Sequence, residues 1–220
     1  TCSTANTSSR PRRNARPELP RPDLMAGSRA VASESGVAPR HRYPRPGSTR
    51  GAVLLALLAF CAGAPGQAPE GEFAARLVDA AMQRLSHRAT YDGAYRKIGY
   101  PNGDVPDHIG VCTDLVVRAY RAVGIDLQRA VHEDMKADFG AYPRLWGHDA
   151  PDPNIDHRRV PNLQRFFERK GAAVPISEKA EDYRPGDLVA WDLNGKGLTH
   201  IGIVVPPPAG QPDGGWIVHN

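Results

Sequence analysis

The sequence holds few cysteines, and their positions exclude two kinds of small domain. Of the three cysteines, Cys2 and Cys61 lie in the N-terminal stretch and Cys112 is the only one that follows it. A disulfide framework needs several paired cysteines, and a cysteine-based zinc cluster needs several thiolates at short spacing. Both kinds of site are therefore excluded for the main domain, in which Cys112 is a single thiol whose role is either structural or catalytic.

Lysine is absent from the first 70 residues, although this stretch carries the whole positive excess of the chain. It contains ten Arg and four acidic residues, a net charge of +6, whereas the remainder has 18 Lys and Arg against 20 acids, a net charge of −2. A nucleic-acid-binding domain carries its positive charge on a folded face. The sequence therefore predicts no nucleic-acid partner.

Long apolar runs are also scarce. The uncharged run GAVLLALLAFCAGA covers residues 51–64 and is shorter than the roughly 20 apolar residues that a membrane-spanning helix requires. With its arginine-rich flank it predicts a secretory signal over residues 51–66, hence a secreted or periplasmic protein that meets the membrane only through its export signal. The alternative is a short buried helix.

The remaining chain divides into a tail, a linker and one domain. Residues 1–50 are rich in Pro, Arg and Ser without apolar periodicity, which predicts a disordered basic tail. Residues 67–71 are interpreted as a linker, and residues 72–220 have the length of one domain. Apolar spacing predicts helices first and strands later, which indicates an α+β fold with a C-terminal antiparallel sheet. The predicted helices are 72–85, 113–123, one from 127 that is capped by Asp126, and 162–170; the predicted strands are 187–192, 199–205 and 216–219.

Cys112 lies at the predicted start of a helix that ends at Gly124. Unpaired backbone N–H groups and the positive end of the dipole at a helix start favour a thiolate and can hold an oxyanion. We therefore expect a lowered pKa for Cys112 if the residue is a nucleophile. A small buried structural cysteine is the alternative.

Two histidines on predicted neighbouring strands favour the nucleophile. His200 begins one strand and His219 lies on the next, where antiparallel pairing would bring them together. Nucleophilic cysteine catalysis uses a histidine base whose second ring nitrogen is held by another polar group. The sequence thus predicts Cys112, His200 and His219 as one catalytic set.

Three motifs that carry these residues resemble the papain-like cysteine peptidases of the NlpC type, which are secreted bacterial hydrolases of cell-wall peptides. The motifs are GVCTDLVVRAYRAVGIDL, RPGDLVAWDLNGKGLTHIGIVV and GWIVHN. From about Leu77 onwards the chain resembles, more closely, the bacterial domain-of-unknown-function family 1287, through YPNGDVP, GVCTDLV, HEDM and DPNIDHRRVPNL. The resemblance implies that further chain would follow Asn220.

The resemblance implies a role for each matching residue. Cys112 would be the nucleophile, His200 the general base and acid, His219 the residue that orients His200, and Tyr100 a side chain beside the site that supports the oxyanion, with a structural tyrosine as the alternative. No cofactor or metal is implied. The usual Asp-Cys-Ser-Gly is here Val111-Cys112-Thr113-Asp114, and the charge of Asp114 would oppose a thiolate if its carboxylate points inward.

A second polar cluster allows three interpretations. Its residues could bind a metal, recognise a substrate carboxylate through arginine, or form a structural hydrogen-bonded loop. The substrate-binding hypothesis assigns the cluster to Asp152, Asn154, Asp156, His157 and Arg158.

Together these features predict a thiol hydrolase that cleaves an amide bond, in peptidoglycan stem peptides by analogy with the family. Two alternatives share the fold. One is a non-catalytic module that binds cell wall or protein, and the other is a cysteine-dependent acyltransferase.

Overall fold

The computed structural model describes residues 30–32, 70–211 and 215–220. They form a mixed α+β arrangement of four helices and two sheets. Each predicted helix is present, with ends that differ by at most two residues from the expected bounds. The helices are α1 (Glu70–Arg84), α2 (Cys112–Ala122), α3 (Leu127–Ala137) and α4 (Val160–Arg169), with short 3₁₀ turns at Phe139–Ala141, Asp156–Arg158 and Ala180–Asp182.

Helix α2 forms because its apolar residues recur at helical spacing and its ends are fixed. Leu115, Val116, Ala119 and Tyr120 are all buried, and this stripe faces the core. The helix ends before Gly124, whose φ of +93° suits a residue without a side chain. The first turn of α2, which begins at Cys112, is thus held at the edge of the core.

The main sheet has five strands in the order β4-β1-β5-β6-β7. The predicted antiparallel arrangement of the three C-terminal strands is confirmed, since β5 pairs with β6 and β6 with β7 in antiparallel register. A separate parallel pair, β2 and β3, precedes α2. The strands are β1 (Ala30–Ala32), β2 (Thr90–Tyr91), β3 (Ile109–Gly110), β4 (Ala173–Val174), β5 (Leu188–Asp192), β6 (Thr199–Val205) and β7 (Trp216–Val218).

Two boundaries differ from the predictions made from the sequence. Ala30–Ala32 lies within the stretch expected to be disordered, yet it forms β1 and pairs in parallel with both β4 and β5. Three small or β-branched residues suffice because the neighbouring strands supply the hydrogen-bonding partners. Helix α1 begins at Glu70, inside the expected linker. The predicted secretory signal at 51–66 and the rest of the predicted tail lie outside the described residues.

The core joins the helices to the sheet. Tyr120, Phe166 and Phe167 are the largest fully buried side chains, and their rings pack against one another beside Ile201 and Ile203 of β6. Among helices in the described ranges, none has both the length and the apolar character needed to cross a membrane. The packing of α2 against β6 brings the start of the helix to the start of the strand.

Candidate active site

Cys112 is the first residue of α2, and its side chain is only 3% exposed. Backbone N–H groups of Ile201 and Thr113 donate towards its Sγ, and the hydroxyl of Tyr91 donates from 4.0 Å. Donors of this kind stabilise negative charge on sulfur. The contact with Ile201 places the thiol beside the residue that follows His200 in β6.

Burial nevertheless dominates the acidity of the thiol. It raises the pKa of Cys112 above its ordinary value, and the three donors offset this effect only in part. The expectation of a lowered pKa at the helix start is therefore wrong for the resting protein, because the cost of removing a thiolate from water exceeds the gain from the nearby donors. The resting group is a neutral thiol.

His200 and His219 are in direct contact, as the sequence predicts. Their Nε2 and Nδ1 atoms are 3.1 Å apart. Trp191, the register partner of His200 in β5, contacts both rings edge-on at centroid distances of 4.8 and 5.8 Å. Nδ1 of His200 can serve as a base in the tautomer whose Nε2–H donates to Nδ1 of His219.

His200 is uncharged near neutral pH. Burial, and then the neighbouring His219, lower its pKa below the ordinary value. The neutral ring of His200 has one nitrogen that donates and one that accepts.

A glycine makes the contact between the two histidines possible. A Cβ at Gly202 would lie 2.4 Å from Cγ2 of Ile217, 2.8 Å from the carbonyl oxygen of Val218 and 3.2 Å from Cβ of His219. Such distances are too short for any side chain. Strand β7 can approach β6 closely at this point only because residue 202 has no side chain, and His219 is thereby brought beside His200.

Asn220 was not singled out from the sequence, yet it contacts both parts of the site. Its Nδ2 donates to the backbone carbonyl of Val111 at 3.1 Å, and its own carbonyl lies 3.3 Å from Nδ1 of His219. The residue therefore links the end of β7 to the residue before Cys112. Because Val111 lies 109 positions away from Asn220 in the sequence, no local pattern indicates that the two residues are in contact.

The tyrosine beside the thiol is Tyr91 rather than Tyr100. Tyr100 donates its hydroxyl to Oε1 of Glu133 at 2.7 Å and packs edge-on against His132. Tyr91 lies on β2, whose pairing with β3 brings it next to the start of α2. Burial and then the neighbouring Cys112 raise the pKa of Tyr91, so its phenol stays protonated and can donate.

The cluster at 152–158 forms a hydrogen-bonded loop, and its assignment to substrate binding stays a prediction. Asp156, His157 and Arg158 are buried. Asp156 accepts from the backbone N–H of Asp152 at 2.5 Å, and Asn154 accepts from the N–H of Ile98 at 3.0 Å. Most polar groups of the cluster thus bind one another or nearby backbone, whereas Nδ1 of His157 is buried without a hydrogen-bond partner.

Arg158 finds its carboxylate partner inside the protein. Its Nε and Nη2 atoms donate to the two oxygens of Asp114 at 2.9 Å each, and the two side chains are 2% and 3% exposed. Asp114 also accepts from the N–H of Val111 at 2.6 Å. The carboxylate points inward near the thiol, as the departure from the usual motif suggested, but its charge is paired.

Within the described part of the chain, no group of three or more His, Cys, Asp or Glu side chains converges in a way that could hold a metal ion.

Comparison with known proteins identifies the family of this chain. Residues 78–220 match the family model described as Domain of unknown function (DUF1287), which is about two thirds of the chain. The chain belongs to this family. The predicted membership is confirmed, whereas the relation to NlpC-type peptidases stays a prediction.

One curated relative extends the comparison. The Uncharacterized protein YijF of Escherichia coli (strain K12) is 48% identical over 128 residues, which are 58% of this chain and 62% of the relative. The chain thus spans about three fifths of that relative's length. No solved structure matches the chain.

Proposed function

We propose that the domain is a papain-like thiol hydrolase that cleaves an amide bond with Cys112 as nucleophile. One observation carries the proposal: His200 and His219 form a hydrogen-bonded pair at the same end of β6 where the backbone of Ile201 contacts Cys112 Sγ. A nucleophile, a base and a group that orients the base are the three parts that such chemistry requires.

The resting protonation states favour a general-base mechanism. The thiol and the imidazole are both neutral, because burial raises the pKa of Cys112 and lowers the pKa of His200. Nδ1 of His200 would take the thiol proton as Sγ attacks the substrate carbonyl, in a geometry that tightens when substrate binds. The Sγ–C bond forms as the carbonyl π pair moves to oxygen.

The oxyanion has donors close to the place where it would form. The backbone N–H of Thr113 at the start of α2 and the protonated hydroxyl of Tyr91 donate towards Sγ, and donors of this kind lower the barrier to acyl transfer. Tyr91 thus takes the role expected for Tyr100. His200 then protonates the leaving amine, and water attacks the thioester to release the acyl group and restore the thiol.

The substrate class and the location rest on resemblance and on residues 51–64. NlpC-type enzymes cut cell-wall peptides, and an apolar run behind arginines is typical of an export signal. We therefore propose that the domain acts outside the cytoplasm on peptidoglycan stem peptides.

The test is digestion of purified muropeptides by the wild-type protein and by Cys112→Ala, followed by mass spectrometry. We expect new peptide fragments with the wild type and none with the variant. If the wild type leaves every muropeptide intact, the peptidoglycan substrate is wrong. Transfer of the acyl group to an added amine, in place of water, would identify an acyltransferase.

A further inference from the structure

Arg158 is a buried charged residue that the proposed chemistry does not use. It lies in the 3₁₀ turn Asp156–Arg158, and its side chain is 2% exposed. A charge this deep is costly unless it is paired and fully hydrogen-bonded. Its partners therefore indicate what the charge does.

The first set of partners lies in the opening turn of α2. The guanidinium binds both oxygens of Asp114, and the backbone carbonyl of Arg158 accepts from the hydroxyl of Thr113 at 2.9 Å. Thr113 and Asp114 directly follow Cys112. One residue of a distant loop thus fixes both of the positions that come after the thiol.

The second set of partners lies in the segment after Tyr91. Arg158 donates to the carbonyl of Asp92 at 3.1 Å and to that of Ala94 at 3.3 Å. The same guanidinium therefore ties the segment that carries Tyr91 to the helix that carries the thiol. Only arginine offers enough donors in a fixed fork to reach a carboxylate and two carbonyls at once.

We propose that Arg158 is a positioning residue that neutralises Asp114 at the start of α2 and holds Tyr91 in place against Cys112. That Arg158 positions catalytic groups rests on the proposed function, whereas its effect on the charge around the thiol is independent of that function. The pairing also explains how this chain can carry an acid at position 114, where the usual motif has none, because Arg158 neutralises that acid.

The sign of the effect follows from the charges around the thiol. Burial is the largest cause that raises the pKa of Cys112, and the negative charge of Asp114 raises it further. The other ionisable groups that face this region are Tyr91 from β2 and the pair of His200 and His219 from the sheet. Loss of the positive charge of Arg158 leaves Asp114 uncompensated, so the thiolate should become harder to form; loss of Asp114 leaves the arginine uncompensated, so it should become easier.

The experiment measures alkylation of Cys112 by iodoacetamide at several pH values, read from the peptide that contains Cys112 so that Cys2 and Cys61 do not interfere. We expect alkylation at pH 8 to be about tenfold slower in Arg158→Gln and faster by a similar factor in Asp114→Asn. The double variant, which replaces both charges by amides, should return close to the wild-type rate.

Two further variants keep the proposal falsifiable. Arg158→Lys retains the charge but not the fork that reaches both carbonyls, so its rate should lie between those of Arg158→Gln and the wild type. If Arg158→Gln does not fold, the faster alkylation expected of Asp114→Asn decides the matter. Arg159→Gln is the matched control, because Arg159 pairs with Asp156 at 3.3 Å rather than with Asp114. Its rate should equal that of the wild type.

Opposite shifts in the two charge variants cannot come from a merely structural role, because a loosened helix start would change both rates in the same direction. Equal rates in folded Arg158→Gln, Asp114→Asn and wild type, an unchanged rate in folded Asp114→Asn, or shifts of the same sign in the two charge variants would each overturn the proposal. Alkylation needs no substrate, so this outcome is independent of whether muropeptides are cleaved.

Discussion

Substitution of Gly202 by alanine tests the claim that a missing side chain brings the two histidines together. The added methyl would lie 2.4 Å from Ile217 Cγ2 and 2.8 Å from the Val218 carbonyl oxygen. The first contact can be relieved by a rotation of Ile217, but the second involves backbone. Strand β7 must therefore move away from β6 at this point.

The displacement of β7 determines how much stability and how much of the histidine contact the substitution removes. Overpacking a tight interior contact costs roughly 1 to 3 kcal/mol of unfolding free energy. The hydrogen bond between His200 and His219, at 3.1 Å, needs only a few tenths of an ångström of extra separation to exceed hydrogen-bonding distance. We expect both a loss of stability and the loss of that bond.

Two measurements give the answer without a substrate. Chemical denaturation gives the change in unfolding free energy, and imidazole NMR reports whether the ring nitrogens of the pair remain hydrogen-bonded. Gly215→Ala is the matched control, because a Cβ at that position meets nothing within 4 Å. A Gly202→Ala protein as stable as Gly215→Ala, with an unchanged imidazole spectrum, would refute the reasoning.

Three further outcomes follow from the structure. Tyr91→Phe should lower kcat for amide hydrolysis by roughly 100-fold through loss of one oxyanion donor, whereas Tyr100→Phe should leave kcat unchanged; equal effects would contradict the assignment. Asn220→Ala removes one hydrogen bond to the start of α2, so we expect the unfolding free energy to fall by about 1 kcal/mol. We also expect kcat to fall by a larger factor than KM changes; an unchanged kcat would contradict a positioning role for Asn220. Burial lowers the pKa of His157 to about 4, so between about pH 6.5 and pH 4 the unfolded chain binds a proton at this residue and the native state does not. The contribution of His157 to the unfolding free energy is therefore fully present above about pH 6.5 and falls by about 3 kcal/mol as the pH drops to 4. Denaturation across this range should show that extra loss in the wild type and not in His157→Gln, and parallel curves would contradict it.

Local residue patterns made the helices and the last three strands predictable. The apolar stripe of α2 and the terminating Gly124 define one element locally, and the β-branched residues of 199–205 define another. Strand β1 could not be predicted, because three residues carry no pattern of their own and pair only through the strands on either side.

The site was predictable where its chemistry depends on residue type and not where it depends on tertiary contacts. Cys112, His200 and His219 were identified from their elements and spacing. Tyr91 was missed in favour of Tyr100 because only the β2–β3 pairing brings it to the thiol. Arg158 was assigned to a substrate carboxylate because its internal partner, Asp114, lies 44 positions away.

The most direct test of the central claim is to look for the covalent intermediate on Cys112. Wild-type protein is mixed with muropeptides, quenched with acid within a single turnover, and examined by intact mass and peptide mapping. The account predicts an added mass equal to the acyl half of the cleaved peptide, carried by Cys112 and absent from Cys112→Ala. Cleavage that continues in Cys112→Ala with no adduct on the wild-type thiol would contradict it.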